Sequence, residues 1–233
     1  MHSLSADAIT YHRGLACDWE GRYRKHAFRA RETVLAKCLE GRNLTGALWL
    51  DAGCGSGTLS RWLAARGCRV VGMDAAPEMV RAAHNNAICS DSSTRAQFAC
   101  IGTIAKLPLP DGCADGILCS SVLEYVSDPC ACVQEFARVL KRGGQLLVSV
   151  PNRKSVVRRV QVECQRWGSL VGIDWMKFVK YSRQEFSRAE FQKLLMRTGF
   201  SVRKELSLGS PLPALAQRSR LWGPLVMFAA EKI

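Results

Sequence analysis

Short apolar runs alternate along the chain with segments in which apolar residues recur every three or four positions. The short runs are typical of buried strands, and the second pattern predicts helices that pack by one face. The predicted strands of the first two thirds of the chain are 47–51, 69–74, 97–101, 114–120 and 145–150. The predicted helices are 11–39, 58–66, 77–86 and 129–143. This alternation predicts a parallel sheet with right-handed crossovers.

The pattern changes after Asn152. Residues 153–171 predict a basic amphipathic helix, and Ser187 with Glu190 predicts a capping box at the start of another helix. Two strand-like segments joined by a loop rich in proline and serine close the chain, at 201–208 and 224–232. The end of the chain therefore adds a hairpin-like pair to the parallel strands before it.

The first predicted strand ends in Asp51, and three glycines follow at alternate positions, Gly53, Gly55 and Gly57. Glycines let the backbone turn tightly and approach a ligand closely. A dinucleotide fingerprint needs the spacing G-x-G-x-x-G, and counting from either of the first two glycines puts a hydroxyl residue at the third glycine position. The spacing therefore disfavours a dinucleotide, and an acid before the glycines disfavours a pyrophosphate.

Asp74 ends the second predicted strand, 21 residues after Gly53. A carboxylate at this place can accept hydrogen bonds from both hydroxyls of a ribose. The alternative is that it caps the helix that begins at Pro77. A nucleoside that carries an amino acid and no phosphate fits both Asp74 and the acid before the glycines, and S-adenosylmethionine is such a molecule.

Several segments in order resemble the successive motifs of class I S-adenosylmethionine-dependent methyltransferases, with most likeness to the small-molecule and quinone-biosynthesis branch, methyltransferase type 11. The segments are Leu50–Gly57, Val70–Asp74, Leu107–Asp111, Ile117–Val126 and Val139–Gly144. The resemblance covers residues 48–152 well and the flanks poorly. It implies an α/β Rossmann-like fold, in which a seven-stranded, mostly parallel sheet carries helices on both faces and an antiparallel strand near the end.

One domain is expected for a chain of 233 residues. On this interpretation residues 1–46 form a helical cap and residues 47–152 the cofactor-binding core. Residues 153–186 form a lid inserted at the ligand edge of the sheet, and residues 187–233 supply the last helix and strands. An ordinary helix packed on the sheet is the alternative to the lid.

The resemblance implies that Gly53 and Gly55 contact the methionine part of the cofactor, Asp74 the ribose and Ile104 the adenine. The cofactor-binding residues predicted on this basis are Arg31, Asp51, Gly53, Cys54, Gly55, Gly57, Asp74, Ala75, Thr103, Ile104 and Ser120. Arg31 resembles an arginine that reaches the cofactor carboxylate, and Arg29 is the alternative. Thr103 departs from the pattern, because many relatives have Asp beside the adenine.

The candidates for catalysis are Glu124, Tyr125 and His12. The first two follow the fourth predicted strand and can orient a substrate hydroxyl, and an imidazole titrates near neutrality. The alternatives are that Glu124 anchors a loop and that His12, like His26, is a surface or packing residue. Where ubiquinone O-methyltransferases carry an acid, Glu and His, this chain has Ser121, Glu124 and Tyr125, so no metal site is predicted. A dedicated base is optional, because proximity and alignment supply much of the acceleration.

The net charge of +13 lies mainly in one part of the chain. Residues 49–150 hold 9 basic and 9 acidic residues, whereas residues 151–233 hold 16 basic and 6 acidic residues. A basic face attracts anionic ligands, anionic lipid or nucleic acid. We therefore predict a small-molecule acceptor that is apolar or anionic, methylated on oxygen, and peripheral membrane contact through the basic last third.

Two alternatives to that function come from different classes. An RNA methyltransferase would use the basic charge, but the chain has no separate RNA-binding module and no Asn-Pro-Pro-aromatic signature. A cofactor-binding partner protein without turnover would keep the glycine turn. The oligomeric state does not follow from the sequence.

The 11 cysteines are odd in number and scattered through predicted strands and helices, so buried thiols are expected rather than disulfides or a metal site. No run of 18 apolar residues occurs, and the first ten residues lack the pattern of a secretory signal. The expected location is the cytoplasm.

Overall fold

The computed structural model describes residues 6–16, 19, 21, 26–90, 95–170, 177–209 and 221–233. These residues build one seven-stranded sheet with the order β3-β2-β1-β4-β5-β7-β6. The strands are β1 Leu48–Ala52, β2 Arg69–Asp74, β3 Ala96–Cys100, β4 Ala114–Ser120, β5 Leu140–Pro151, β6 Phe200–Leu208 and β7 Leu225–Lys232. The first five strands pair in parallel, and β7 runs antiparallel to both β5 and β6.

The helices in this part of the chain flank the sheet. They are α1 Ala6–Arg13, α2 His26–Leu39, α3 Thr58–Ala64, α4 Pro77–Cys89, α5 Pro129–Val139, α6 Val156–Leu170, α7 Lys177–Tyr181 and α8 Arg188–Arg197. A short 3₁₀ turn, Leu123–Tyr125, lies between β4 and α5. The predicted α/β fold with a mostly parallel seven-stranded sheet is therefore confirmed.

Side chains alternate between the two faces of the sheet and form a separate apolar core on each. On β5, Leu146 and Val148 belong to one core, which Phe136 of α5 and Phe191 of α8 cover. The intervening Leu147 belongs to the other core. That second core holds Leu35 of α2, Leu63 of α3 and Ala83 of α4. Helices thus cover both faces, as predicted.

The predicted continuous helix over 11–39 is wrong. The structure ends α1 at Arg13, and a turn follows in which the Gly14 amide donates to the carbonyl of Thr10 at 3.2 Å. Glycine is a poor helix former, so the chain leaves the helix there. A second helix, α2, begins at His26.

The predicted end of the helix at Gly143 is also wrong, because α5 stops at Val139. Leu140 has φ −68° and ψ 142°, an extended conformation, and pairs with Ala114 of β4. Strand pairing therefore begins three residues before Gly143, and β5 is twice as long as the predicted 145–150. The division of the chain into cap, core and lid stays a prediction.

The order of the strands reverses at β1, which has β2 on one side and β4 on the other. The chain leaves β1 and β4 in opposite directions along the sheet, and this leaves a crevice outside their carboxyl ends. The glycine turn, Asp74, and Thr103 with Ile104 follow strand ends on this edge, whereas His12 and Arg31 lie on α1 and α2. The topology therefore brings them together.

The predicted capping box at α8 is present. The Ser187 hydroxyl accepts from the Glu190 amide at 3.3 Å, and the Glu190 carboxylate accepts from the Ser187 amide at 2.9 Å. We expect Ser187→Ala to lower the free energy of unfolding by about 1 kcal/mol, measured in urea, because it leaves an N-terminal amide of α8 without its partner. Ser187→Thr keeps the hydroxyl and is the matched control. Equal losses in the two variants would contradict the capping role.

Candidate active site

A cavity of about 360 Å³ lies in the crevice at the carboxyl ends of β1, β2 and β4. This volume is in the range of small-molecule sites. Of the 14 residues predicted from the sequence, 12 line it, namely His12, Arg31, Gly53, Cys54, Gly55, Asp74, Ala75, Thr103, Ile104, Ser120, Glu124 and Tyr125. The tertiary structure thus brings candidates for cofactor binding and for catalysis to one cavity.

The glycine turn is tied to the end of β2 by its backbone. The amides of Gly53 and Cys54 both donate to the carbonyl of Met73, at 2.7 and 3.0 Å. Gly53 has φ +82°, and a Cβ there would lie 2.3 Å from Cγ2 of Val122. No side chain fits at this position, so the turn presents its backbone to the cavity.

Asp74 joins the glycine turn to the start of α4. One carboxylate oxygen accepts from the Gly55 amide at 2.9 Å, and the other accepts from the Ala76 amide at 2.9 Å. Burial raises the pKa of Asp74 above its ordinary value. The N-cap residue of α4 is Ala76, and no side chain caps this helix, so Asp74 binds the residue before the helix and does not cap it. Each carboxylate oxygen still has a second lone pair for a ligand.

Two predicted cofactor residues, Asp51 and Gly57, do not line the cavity. Asp51 is 2% exposed, accepts from the Ser60 hydroxyl at 2.6 Å, and has its pKa raised to about 7 by burial. Gly57 has φ +76° at the start of α3, where a Cβ would lie 2.8 Å from the ring of Phe98. Both residues lie behind the turn and support it.

A strained backbone position marks the end of β4. Ser121 has φ +58°, which is uncommon for a residue with a side chain, and its amide donates to the Ser149 hydroxyl at 2.9 Å. Arg31 reaches the same place and donates to the hydroxyls of Ser121 at 3.0 Å and Ser120 at 3.5 Å. No sequence signal indicated this conformation, because serine follows many strands without it.

Glu124 is 5% exposed and lines the cavity. Among the described residues its Oε2 atom has no hydrogen-bond partner, and burial raises the pKa of the carboxyl to about 7. The backbone carbonyl of Glu124 accepts from the amides of Arg183 and Gln184, at 2.7 and 3.2 Å. The loop is therefore anchored by the main chain of Glu124, and the buried carboxyl oxygen is left for another role.

Tyr125 and His12 lie next to each other in the same cavity. Their ring centroids are 5.0 Å apart in an edge-to-face arrangement. Nδ1 of His12 lies 2.8 Å from the carbonyl of Ala8, so this nitrogen carries the hydrogen, and in the neutral ring Nε2 is then the acceptor. Burial raises the pKa of Tyr125, so the phenol keeps its proton at neutral pH.

Sequence reasoning missed a second arginine in the cavity, Arg158 of α6, which lines it together with Arg31. It is 4% exposed and donates from Nε to Glu185 at 2.8 Å and from Nη2 to the Ser182 hydroxyl at 2.9 Å. Phe178 of α7 also lines the cavity. A basic residue in a basic helix predicts a solvated surface, and only the packing of α6 shows that this one is buried.

Helix α6 packs in the opposite sense to an ordinary amphipathic helix. Its buried polar residues are Arg158 and Gln165, at 4% and 5% exposure. Val156, Val160 and Trp167 are 41%, 55% and 68% exposed. At about 100° per residue these three lie within about 40° of each other on the helix. The apolar stripe of α6 therefore faces outward, and its polar face lines the cavity.

Some predictions fall outside the described residues. The side chains of Arg29 and His26 do so, and Arg29 was the alternative to Arg31. The same holds for residues 171–176 of the predicted lid and for residues 210–220 of the loop rich in proline and serine.

Within the described ranges, no group of three or more His, Cys, Asp or Glu side chains is arranged to hold a metal ion. In the same part of the chain no helix combines the length and the apolar character needed to cross a bilayer. Ten described cysteines are free thiols, and five of them are buried.

The sequence of residues 50–148 matches a family described as "Methyltransferase domain". The chain is 40% identical over 111 residues to the ubiquinone biosynthesis O-methyltransferase of Xylella fastidiosa, which covers 47% of this chain and 44% of that protein. It is 37% identical over 111 residues to the protein of the same name from Xanthomonas oryzae, with 48% and 46% covered. The chain thus spans less than half the length of these relatives.

Solved structures with the same fold include magnesium protoporphyrin IX methyltransferase from Synechocystis with bound S-adenosylhomocysteine. That structure has a TM-score of 0.72 at 21% identity and covers 97% of this chain and 98% of its own. A methyltransferase described as a possible histamine N-methyltransferase, from Thermotoga maritima, has a TM-score of 0.68 at 22% identity, with 97% and 100% covered. The predicted fold is confirmed, and the match of residues 50–148 to a methyltransferase domain supports the predicted class, the class I S-adenosylmethionine-dependent methyltransferases.

Proposed function

We propose that the chain transfers a methyl group from S-adenosylmethionine to a hydroxyl oxygen of a small molecule. The observation that carries the proposal is the buried carboxyl of Glu124, whose Oε2 atom has no partner among the described residues and which lines the same cavity as the glycine turn and Asp74. The likeness to ubiquinone biosynthesis O-methyltransferases supports oxygen as the methylated atom.

The residues at the cofactor end of the cavity fit S-adenosylmethionine. At Gly53 the turn has no room for a side chain, so we propose that the backbone of the turn lies close against the amino-acid part of the cofactor. We assign the ribose hydroxyls to Asp74, the carboxylate to Arg31, and the adenine to Thr103 and Ile104. When bound, the cofactor supplies a methyl group on a positively charged sulfur atom, which is electrophilic.

Glu124 is the candidate general base. With a pKa raised to about 7, its carboxylate is basic enough to accept the proton of an acceptor hydroxyl and is still partly ionised at neutral pH. Tyr125 keeps its phenolic hydrogen and can donate to an acceptor oxygen, and His12 packs against its ring. Alignment of the acceptor by these groups contributes to the rate together with proton removal.

The apolar outward face of α6 supports the predicted contact with a membrane surface. Val156, Val160 and Trp167 form its stripe, and the exposed Arg159 and Arg166 lie on one side of it, with the exposed Glu163 between them and the stripe. The Val156 amide donates to the carbonyl of Leu221 at 2.8 Å, and the exposed Leu221 and Trp222 therefore extend the apolar patch. An apolar stripe beside arginines is the arrangement that suits the surface of an anionic bilayer. We propose that α6 lies on such a surface, from which an apolar acceptor can be delivered.

The role of Asp74 is tested by calorimetry with S-adenosylmethionine and with NAD. We expect Asp74→Ala to weaken S-adenosylmethionine binding at least about tenfold, because two charge-assisted hydrogen bonds are lost. Asp74→Asn keeps one acceptor oxygen and should lose less. Glu40→Ala, at an exposed acid, is the control. Unchanged affinity for S-adenosylmethionine in Asp74→Ala, or tight binding of NAD by the wild type, would contradict the assignment of S-adenosylmethionine to this site.

The role of Glu124 is tested by the rate of methyl transfer at saturating cofactor. Only the ionised carboxylate can accept a proton, so the wild-type rate should rise with pH through the pKa near 7. Glu124→Gln should lower kcat by about 100-fold and abolish this rise of the rate with pH. Its affinity for the cofactor should be unchanged. The exposed Glu163→Gln is the matched control. An unchanged pH profile in Glu124→Gln would rule the base out.

Membrane contact is tested by co-sedimentation with vesicles of phosphatidylglycerol and, as a neutral reference, phosphatidylcholine. We expect binding to the anionic vesicles that weakens with salt, and Trp167→Ala to reduce it about tenfold, because the most exposed apolar side chain of the stripe is removed. Met196→Ala, at 61% exposure on α8, is the control. Equal binding by the two variants would contradict the proposed surface.

A further inference from the structure

We infer that the methyl acceptor carries an anionic oxygen group, a carboxylate in its simplest form, besides the hydroxyl that is methylated, and that Arg158 binds this group. The inference rests on the proposed function and names the class of its acceptor. The acceptor is thus a hydroxy acid with an apolar or aromatic body.

Arg158 carries its charge in a buried position. Arginine is almost never fully buried unless it is paired, because taking its charge out of water is costly. Here the guanidinium is buried on the cavity side of α6, while valines and a tryptophan of the same helix are exposed. A helix that places its arginine inward and its apolar residues outward is suited to ligand binding and not to core packing.

Arg158 makes fewer hydrogen bonds to the described residues than its guanidinium can donate. A guanidinium has five N–H groups, and the described residues take one at Nε, through Glu185, and one at Nη2, through Ser182. Nη1 has no partner among them. Glu185 is 29% exposed, so its carboxylate is partly in water. The remaining donors of a guanidinium that lines the cavity are available to a ligand oxygen.

Arg158 and Glu124 are ionisable groups of opposite charge in one cavity. Both are buried and line the same cavity, and the field of Arg158 acts on the Glu124 carboxyl, yet the two groups form no ion pair. One site therefore holds a hydrogen-bond acceptor at Glu124 and donors at Arg158. A ligand that complements both has a hydroxyl hydrogen for the first and an anionic oxygen for the second.

The walls between these groups favour an apolar body for the acceptor. The ring of Phe178 has its centroid 6.0 Å from the guanidinium carbon of Arg158. Leu208, Pro224 and Leu225 line the cavity as well. A flat or aliphatic body packs against such side chains without leaving polar groups unpaired.

The test uses two probes of the same shape, 3,4-dihydroxybenzoate and 3,4-dihydroxybenzamide, titrated calorimetrically into the full chain with and without S-adenosylhomocysteine. The probes share the ring and the hydroxyls and differ in the charge of one group. We expect the wild type to bind the benzoate at least about tenfold more tightly than the amide. In Arg158→Met the preference should fall to within about twofold, and Arg158→Lys should keep part of it.

Two further variants separate ligand binding from support of the fold. Arg159→Met removes the neighbouring exposed arginine and should leave the preference unchanged. Glu185→Gln breaks the ion pair between α6 and the segment after α7 but leaves Arg158 in place, and it should keep the preference. Thermal unfolding and S-adenosylhomocysteine affinity report whether each variant is folded.

The inference is overturned if the wild type binds both probes equally or fails to bind the benzoate. It is also overturned if the preference survives in Arg158→Met, or if Glu185→Gln abolishes it as fully, since Arg158 would then act only on the fold. The proposed function fails in a different way, by absence of S-adenosylhomocysteine binding and of methyl transfer from labelled cofactor. The charge preference remains measurable in that case, in the titration without S-adenosylhomocysteine.

Discussion

The carboxylate of Asp74 is the interaction on which the site depends. Its two oxygens hold the amide of Gly55 in the glycine turn and the amide of Ala76 at the start of α4, so one side chain joins three elements at the carboxyl edge of the sheet. The turn has no room for a Cβ at Gly53, where one would lie 2.3 Å from Cγ2 of Val122. The backbone that meets the cofactor is therefore held in place before any ligand arrives, which lowers the entropic cost of binding.

The acceptor end of the cavity differs from the cofactor end, because its buried polar groups are not fully hydrogen-bonded within the part of the chain that the structure describes. Glu124 and Arg158 are both buried, and each keeps hydrogen-bonding capacity that the described residues do not use. A buried polar group without a partner destabilises a fold, so such groups persist where a ligand satisfies them. The cofactor end is thus preorganised by internal hydrogen bonds, whereas the acceptor end is completed by what binds there. This contrast accounts for one cavity serving a fixed cofactor and a selected acceptor.

Helix α6 connects that end to the outer surface. Its polar face supplies Arg158 to the cavity, and its apolar face, with Val160 and Trp167, is exposed beside basic side chains. A helix that is polar toward its own domain and apolar toward the outside resembles one that lies at a bilayer surface. The proposed membrane contact and the proposed anion site are therefore two sides of one element. An acceptor with an apolar body and an anionic group matches both.

The sequence by itself determined where the strands, the glycine turn and Asp74 lie along the chain. Runs of apolar residues and the spacing of glycines are local patterns, so they can be recognised without knowledge of the tertiary packing. The sequence also placed Glu124 at the right strand end, and 12 of 14 predicted site residues line the cavity. The sequence could not show that Asp51 and Gly57 lie behind the turn and outside the cavity lining. The spacing of residues does not tell which side of a turn faces a ligand. Nor could the sequence end α1 at Arg13 or α5 at Val139, because strand pairing and turns compete with helix propensity. Only the tertiary structure decided that Arg158 is buried, since hydrophobic periodicity describes a helix but does not say which of its faces meets the domain.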